Sequence, residues 1–169
     1  IGKSLAVGLA SAGADIVVVG RNISHLQFVC DEIKKYGRGY LAVEADVSKA
    51  DDVKRIFQYS LEVFTKIDIL VNGAGVTIRK PILEFSEDDW DFVTDINLKG
   101  VYLCCQEGLK QMISNQYGKI INIASTASEL GFRNIAPYCA SKGGVSQITK
   151  ALAVEFGHYG ININAIAPG

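Results

Sequence analysis

Residues 67–75 read IDILVNGAG, an apolar run followed by an asparagine and two glycines that flank one alanine. The run has strand length and is nearly continuous in Ile, Leu and Val, which is typical of a parallel strand buried on both faces. The glycines after it predict a tight turn, because glycine adopts backbone conformations closed to other residues. The stretch therefore predicts a strand that delivers a small-residue loop to one edge of a parallel sheet.

Four further runs of strand length lie on both sides of this stretch, and longer segments with helical spacing separate them. The runs are Asp15–Gly20, Gly39–Ala45, Lys119–Ala124 and Ile161–Ile166. Alternation of strand and helix along the whole chain predicts an α/β fold with a Rossmann-like, doubly wound parallel sheet. We expect a single domain over residues 1–169, because no repeat, linker or low-complexity tract divides the chain.

The predicted helices carry start signals. Ser24 with Gln27 three residues later predicts a capping box before an apolar stripe. Other serines precede acidic first turns, where the helix dipole favours negative charge. These later helices are predicted over Ala50–Lys66 after Ser48, over Glu87–Asn115 after Ser86, and over about Ala136–His158.

Composition excludes several classes of protein. The 169 residues are 49% apolar with a net charge of −1, so the basic surface of a nucleic-acid binder is absent. No apolar run reaches the roughly 20 residues that span a bilayer, and we expect no membrane partner. The four cysteines form no C-x-x-C pair, which predicts free thiols in a reducing compartment, the cytoplasm, and no metal site.

Ligands of such sheets bind beyond the carboxyl ends of the strands, so functional residues are expected there. Gly2 at a helix start fits the end of a phosphate-binding loop, or is an ordinary helix glycine. Arg21 favours NADP(H), because a guanidinium pairs with a 2′-phosphate, or is a solvated surface residue. Asp46 is positioned to accept a hydrogen bond from an adenine amino group, or only begins a helix.

The residues with catalytic potential follow the strand that ends near Ala124. Ser125 comes first, Thr126 and Ser128 follow it, and any of the three is a candidate hydroxyl donor. Tyr138 and Lys142 lie four residues apart on the next predicted helix, about 6 Å apart along its axis. An ammonium beside a phenol stabilises the phenolate, which a tyrosine acid/base requires. A Y-x-x-x-K pair is common by chance, and its position after a strand that ends at a serine gives it weight.

Taken together, these residues resemble the short-chain dehydrogenase/reductase family along the whole chain. Tyr138 and Lys142 match its Y-x-x-x-K motif, Ser125 lies thirteen residues before Tyr138, and Asn97 lies twenty-eight before Ser125. The segments DILVNGAG (68–75) and NINAIAPG (162–169) are similar to the family as well. One departure is N-G-A-G where the family usually has N-N-A-G or N-A-A-G, which places Gly73 at the second position.

The resemblance implies roles for these residues in hydride transfer between NADP(H), or alternatively NAD(H), and a small carbonyl or alcohol substrate. Tyr138 would be the general acid/base, Ser125 would hydrogen-bond the reacting oxygen, Lys142 would stabilise the tyrosinate and hold the nicotinamide ribose, and Asn97 would place a water. The implied cofactor-binding residues are Ile1, Gly2, Arg21, Asp46, Val47, Asn72, Gly73, Ala74, Gly75, Tyr138, Lys142, Pro168 and Gly169.

Within the family, Arg79-Lys80 and the run Pro81–Trp90 resemble enzymes of sugar acids such as gluconate 5-dehydrogenase and 2-deoxy-gluconate 3-dehydrogenase. Arg79 and Arg133 would then meet a substrate carboxylate, or they are ordinary surface arginines. A 3-oxoacyl-carrier-protein reductase is the alternative enzyme, and a catalytically silent dinucleotide-binding sensor or scaffold is the alternative of another class. The resemblance also implies a homo-oligomer, a dimer or a tetramer.

The length of the chain indicates that part of the domain is missing. A complete domain of this kind runs to about 250 residues. The chain opens at Ile1 without an initiator methionine and stops at Gly169, so we expect the first strand and the C-terminal segment of the fold to be missing. Without that strand, we expect the remaining strands not to close into one continuous sheet.

Overall fold

A computed structural model describes residues 1–169, which divide into two compact units, residues 1–66 and 67–169. The first unit contains helices α1 (Gly2–Ser11), α2 (Ile23–Lys34) and α3 (Ala50–Phe64) and strands β1 (Ile16–Gly20) and β2 (Tyr40–Glu44). The second contains strands β3 (Ile69–Asn72), β4 (Gly118–Ile123) and β5 (Ile161–Ile166) and helices α4 (Glu87–Thr94), α5 (Gly100–Asn115) and α6 (Ala136–Phe156). The expectation of a single domain stays a prediction.

The first unit is built on two parallel strands. β1 and β2 pair from Ile16 opposite Tyr40 to Gly20 opposite Glu44, so both strands end at the same edge. α1 and α2 pack on this pair around Ala10, Val29 and the fully buried Ile33. The pairing therefore brings the residues that follow Gly20 and Glu44 close to each other.

The second unit contains a three-stranded parallel sheet in the order β3-β4-β5. β4 pairs in register with both neighbours, so that Asn122 lies opposite Asn72 on one side and Ala165 on the other. The Asn122 side chain contacts Cys105 of α5 and hydrogen-bonds Thr149 of α6. Since alternate residues of a strand share a face, α5 and α6 cover the same face of this sheet.

The core of the second unit lies between that face and the two helices. It contains Leu109 and Met112 from α5, Ile120 from β4, Val145 from α6 and Ile161 from β5. On β5 the alternate residues Asn162 and Asn164 are exposed, so that strand has only one buried face. The prediction of parallel strands is confirmed. Burial on both faces was predicted for the strand at residues 67–72 and is incomplete there, since Ile69 is exposed and Leu70 and Val71 are half-buried.

Two of the predicted helix boundaries are wrong. Asn22, not Ser24, caps α2, because its side-chain oxygen accepts a hydrogen bond from the backbone N–H of His25. The helix predicted over residues 87–115 is interrupted by a π-helical turn at Asp95–Lys99, which the periodicity of apolar residues did not indicate. At the start of α4, the Ser86 cap is confirmed and forms a capping box with Asp89.

The five strands form one two-stranded and one three-stranded sheet, as expected for strands that do not close into one continuous sheet. The α/β architecture with parallel strands is confirmed. None of the six α-helices is both long and apolar enough to cross a membrane.

Candidate active site

The second unit brings Lys142 to the carboxyl end of β4. Its side chain is 4% exposed, and its Nζ donates a hydrogen bond of 2.5 Å to the backbone carbonyl of Ile123. The same Nζ lies 5.8 Å from the ring centroid of Tyr138. Burial lowers the pKa of Lys142 from its ordinary value, because desolvation disfavours the charged form. The helix thus supplies a buried cation beside a phenol, as the Y-x-x-x-K spacing predicted.

Ser125 lies two residues after Ile123, which is the last residue of β4 and the one whose carbonyl Lys142 binds. Its hydroxyl oxygen accepts a hydrogen bond from the backbone N–H of Ala127 at 3.1 Å. Neither this hydroxyl hydrogen nor the hydroxyl group of Tyr138 is engaged in a hydrogen bond within the protein, and both side chains are half-buried. Ser125 and Tyr138 therefore each have a donor hydrogen available for a substrate oxygen.

Asn97 lies in the π-helical turn and is fully buried. Its side-chain amide pairs with the backbone of Val76, accepting from the N–H at 2.8 Å and donating to the carbonyl at 2.9 Å. Its second N–H donates to the hydroxyl of Ser141 at 3.0 Å. Asn97 thus ties the loop after β3 to α6, and the placing of a water by this residue stays a prediction.

The loop after β3 passes close to both of these groups. A Cβ atom built on Gly75 would lie 3.5 Å from Oδ1 of Asn97 and 3.6 Å from Nζ of Lys142. Gly73, Ala74 and Gly75 are all exposed. The small residues therefore leave an open backbone cradle beside the ammonium of Lys142, which fits the approach of a ribose and a flat ring.

Asn72 differs from the other cofactor-binding candidates, since its side chain points into the core. Its amide donates hydrogen bonds to Oδ1 of Asn122 at 2.8 Å and to the sulfur of Cys105 at 3.3 Å. Asn122 in turn donates to Thr149 at 2.9 Å. A cofactor can therefore meet Asn72 only through its backbone.

At the end of β5, Pro168 is held against the residues that follow β4. Its carbonyl accepts a hydrogen bond of 3.1 Å from the backbone N–H of Thr126. This contact places Pro168 and Gly169 next to Ser125 along the same edge of the sheet. Ser125 also lines a cavity of about 320 Å³ together with Ser146 and Ala167, a cavity that Tyr138 does not line.

The first unit contains the remaining candidates. Gly2 is the first residue of α1, Ile1 is its N-cap residue, and no side chain caps this end of the helix. Binding of a phosphate group by the backbone N–H groups of this first turn stays a prediction.

Arg21 and Asp46 follow the paired ends of β1 and β2. Partial burial opposes ionisation of Asp46, but hydrogen bonds from Ser48 and the charge of Arg21 outweigh it and lower the pKa of Asp46. The Asp46 carboxylate accepts from the Ser48 backbone N–H at 3.0 Å and from its hydroxyl at 2.7 Å. Asp46 therefore stabilises the turn into α3, and its neighbour Val47 is half-buried.

Two serines connect the residues of the site. Ser141 joins Asn97 to α6, and Ser128 accepts from the Ser125 backbone N–H while donating to the Lys142 carbonyl. Ser128 was one of three candidate hydroxyl donors after β4, but its bridging contacts were not predicted. Ser141 was missed, and its only signal was its place inside the Y-C-A-S-K run.

Comparison with known proteins shows the family of the chain. The sequence profile of the short chain dehydrogenase family matches residues 1–169, and the chain therefore belongs to that family. It is 42% identical to a 2-dehydro-3-deoxy-D-gluconate 5-dehydrogenase of Escherichia coli strain K12. It is 39% identical to a 3-oxoacyl-[acyl-carrier-protein] reductase of Synechocystis. Each alignment covers 100% of this chain, but 66% and 69% of the respective relative.

Among solved structures, the fold is similar to a gluconate 5-dehydrogenase from Burkholderia cenocepacia in complex with NADP and tartrate. The TM-score is 0.92 at 38% sequence identity, over 98% of this chain and 65% of the other. The chain thus spans about two thirds of the length of the proteins it matches.

Proposed function

We propose that this protein is an NAD(P)(H)-dependent oxidoreductase that interconverts a ketone and a secondary alcohol. The observation that carries the proposal is the position of Lys142, which is buried beside the Tyr138 ring. Its Nζ donates a hydrogen bond to the backbone carbonyl of Ile123, two residues before Ser125. Family membership supports it, because the matching residues Tyr138, Lys142, Ser125 and Asn97 are all present.

In the reduction, the hydroxyl of Tyr138 donates its proton to the ketone oxygen. The nicotinamide cofactor, when bound, supplies the hydride that the carbonyl carbon receives. Ser125 donates a hydrogen bond to the same oxygen as charge develops on it. The ammonium of Lys142 stabilises the phenolate that remains, and a proton from solvent restores Tyr138. Oxidation of the alcohol runs through the same groups in reverse.

A Tyr138→Phe variant tests this mechanism, because it removes the proton donor and leaves the ring. We expect NADPH binding within about twofold of the parent protein and a loss of turnover of at least about a hundredfold. Retention of full turnover by the variant would overturn the assignment of Tyr138. Absence of turnover in the parent with every ketone tested would favour the silent sensor or scaffold instead.

NADP(H) is the proposed cofactor in preference to NAD(H). Arg21 follows β1 and is exposed, and its charge acts on Asp46 at the neighbouring strand end, so a 2′-phosphate would meet a guanidinium there. The NADP bound to the Burkholderia relative supports this choice. We expect NADPH to bind at least about tenfold more tightly than NADH, and Arg21→Gln to abolish the difference. Equal affinities in the parent would contradict the role of Arg21.

A sugar acid is the proposed substrate. The names of the Escherichia and Burkholderia relatives support this class. Arg79 and Arg133 are both exposed, and the segments that hold them are joined by a hydrogen bond of 2.9 Å from the Lys80 N–H to the Asn134 carbonyl. Two guanidinium groups on adjoining segments suit a carboxylate. The Synechocystis relative instead favours a 3-oxoacyl thioester.

A substrate panel separates the two classes. With keto sugar acids, Arg79→Ala and Arg133→Ala are expected to raise KM about tenfold and to leave the KM of a neutral ketone unchanged. Turnover of 3-oxoacyl thioesters alone would favour the reductase.

We also propose that the protein forms a homo-oligomer and is located in the cytoplasm. Exposed apolar side chains on α4, α5 and α6 support association, and Val154 on α6 is 87% exposed. We expect a dimer or a tetramer in analytical ultracentrifugation, and a smaller species for Val154→Asp. A monomeric parent protein would contradict this part of the proposal.

A further inference from the structure

Ser141 connects two of the proposed catalytic residues without being one of them. It is fully buried in α6, one residue before Lys142. Its hydroxyl donates to the Tyr138 carbonyl at 2.8 Å and accepts from the amide of Asn97 at 3.0 Å, 44 residues away in sequence. The turn of helix that carries Tyr138 is thereby fixed to the π-helical turn that carries Asn97.

Ser128 connects the other two proposed catalytic residues, Ser125 and Lys142. Its hydroxyl donates to the backbone carbonyl of Lys142 at 2.9 Å and accepts from the backbone N–H of Ser125 at 3.3 Å. The segment that holds Ser125 is thereby attached to the turn of α6 that holds Lys142.

The hydroxyl groups of Ser141 and Ser128 each donate one hydrogen bond and accept another. Each hydroxyl group thereby joins two different elements of the fold. The amide of Asn97 has no spare donor, because one N–H binds Val76 and the other binds Ser141. Truncation of Ser141 would leave a buried N–H without a partner, and such a group drives local rearrangement. Small displacements of reacting groups reduce rates strongly, so these bridges bear on turnover.

We propose that Ser128 and Ser141 are positioning residues that hold Ser125, Tyr138, Lys142 and Asn97 in their reactive arrangement. The inference rests on the proposed function for its kinetic consequence, and its geometric consequence is independent of turnover. Ser141 acts through Asn97 and Tyr138, and Ser128 acts through Ser125 and Lys142. Neither serine transfers a proton.

The test compares Ser141→Ala and Ser128→Ala with the matched control Ser60→Ala. Ser60 is also a buried helical serine, but its hydroxyl binds only the Ile56 carbonyl of its own helix. We expect kcat to fall at least about tenfold in each positioning variant, with KM and NADPH affinity within about twofold of the parent. Ser128→Thr keeps the hydroxyl and is expected to restore most of the activity.

A second readout does not need turnover. Amide hydrogen exchange of the peptides that contain Ser125 and Asn97 follows how firmly these two segments are attached to α6. Exchange is expected to accelerate around Ser125 in Ser128→Ala and around Asn97 in Ser141→Ala, because each variant loses the hydroxyl that joins that segment to α6, and to stay unchanged at both places in Ser60→Ala.

The outcomes separate the two proposals. Unchanged hydrogen exchange, or an unchanged kcat in both variants, would overturn the positioning roles. A parent protein without turnover would overturn the proposed function, while hydrogen exchange would still decide the roles of the two serines. Equal effects in Ser60→Ala would show a general loss of packing and would also contradict the inference.

Discussion

The ammonium of Lys142 donates its hydrogen bond to the backbone carbonyl of Ile123, and no carboxylate forms an ion pair with it. A buried cation held by a neutral carbonyl is costly for folding, because desolvation is offset only in part. Lys142 in the proposed active site therefore lowers the free energy of unfolding, and the size of this effect depends on pH because only the charged form is costly to bury.

The free energy of unfolding is expected to rise with pH in the alkaline range because of Lys142. Its pKa in the folded chain lies below the ordinary value of 10.5, so the unfolded chain binds more protons between these two values. Lys142→Met should be more stable than the parent at neutral pH, and the difference should shrink as pH approaches 10.5. Urea unfolding over a series of pH values measures this, with the exposed Lys150→Met of the same helix as control. A difference independent of pH would contradict it.

Gly75→Ala is expected to weaken cofactor binding without unfolding the protein. The added methyl group would make ordinary van der Waals contact with Asn97 and Lys142, and would fill the cradle beside the ammonium. We expect the Kd for NADPH to rise about tenfold, equivalent to about 1.4 kcal/mol. Fluorescence titration measures it, with Gly131→Ala as control because a Cβ there meets nothing within 4 Å. Equal affinities of the two variants would show that the cradle is not used.

Gly160→Ala is expected to destabilise the second unit. Gly160 has a φ of +73°, and a Cβ atom there would lie 2.6 Å from the carbonyl oxygen of Gln116. The left-handed conformation alone costs a non-glycine residue about 1–2 kcal/mol, and the backbone clash adds to it. Thermal unfolding should show a loss of at least about 2 kcal/mol. Gly157→Ala is the control, expected within about 0.5 kcal/mol, because a Cβ at Gly157 meets nothing within 4 Å. Similar losses in both would contradict the prediction.

Alkylation of the native protein is expected to modify Cys139 before the other cysteines. Cys139 is half-buried, whereas the other three thiols are buried. Burial raises the pKa of Cys104 to about 12 and that of Cys105 to about 11, so neither forms the reactive thiolate near neutral pH. Mass spectrometry after brief treatment with iodoacetamide measures this, and unfolding in urea should expose all four. Early modification of Cys105 would contradict the burial of the Asn72–Asn122 network.

The strands and helices follow from local patterns, and the sequence predicted most of them. Short apolar runs predicted all five strands to within two residues, because burial of strand residues leaves a pattern along the chain itself. The start signals of helices were less reliable than the apolar runs that predicted the strands. Asn22 and Ser24 are both good caps, and local sequence could not decide which side chain reaches a free N–H group.

The sequence by itself determined the fold class and the Tyr138–Lys142 pair, since a spacing of four residues on one helix places two side chains on the same face whatever surrounds them. Only the tertiary structure decided that Asn72 points into the core and that Asn97 is bound to Val76 and Ser141. Those partners are 21 to 50 residues apart in sequence. Contacts over such distances depend on strand register and on how helices pack on the sheet, which no local pattern records.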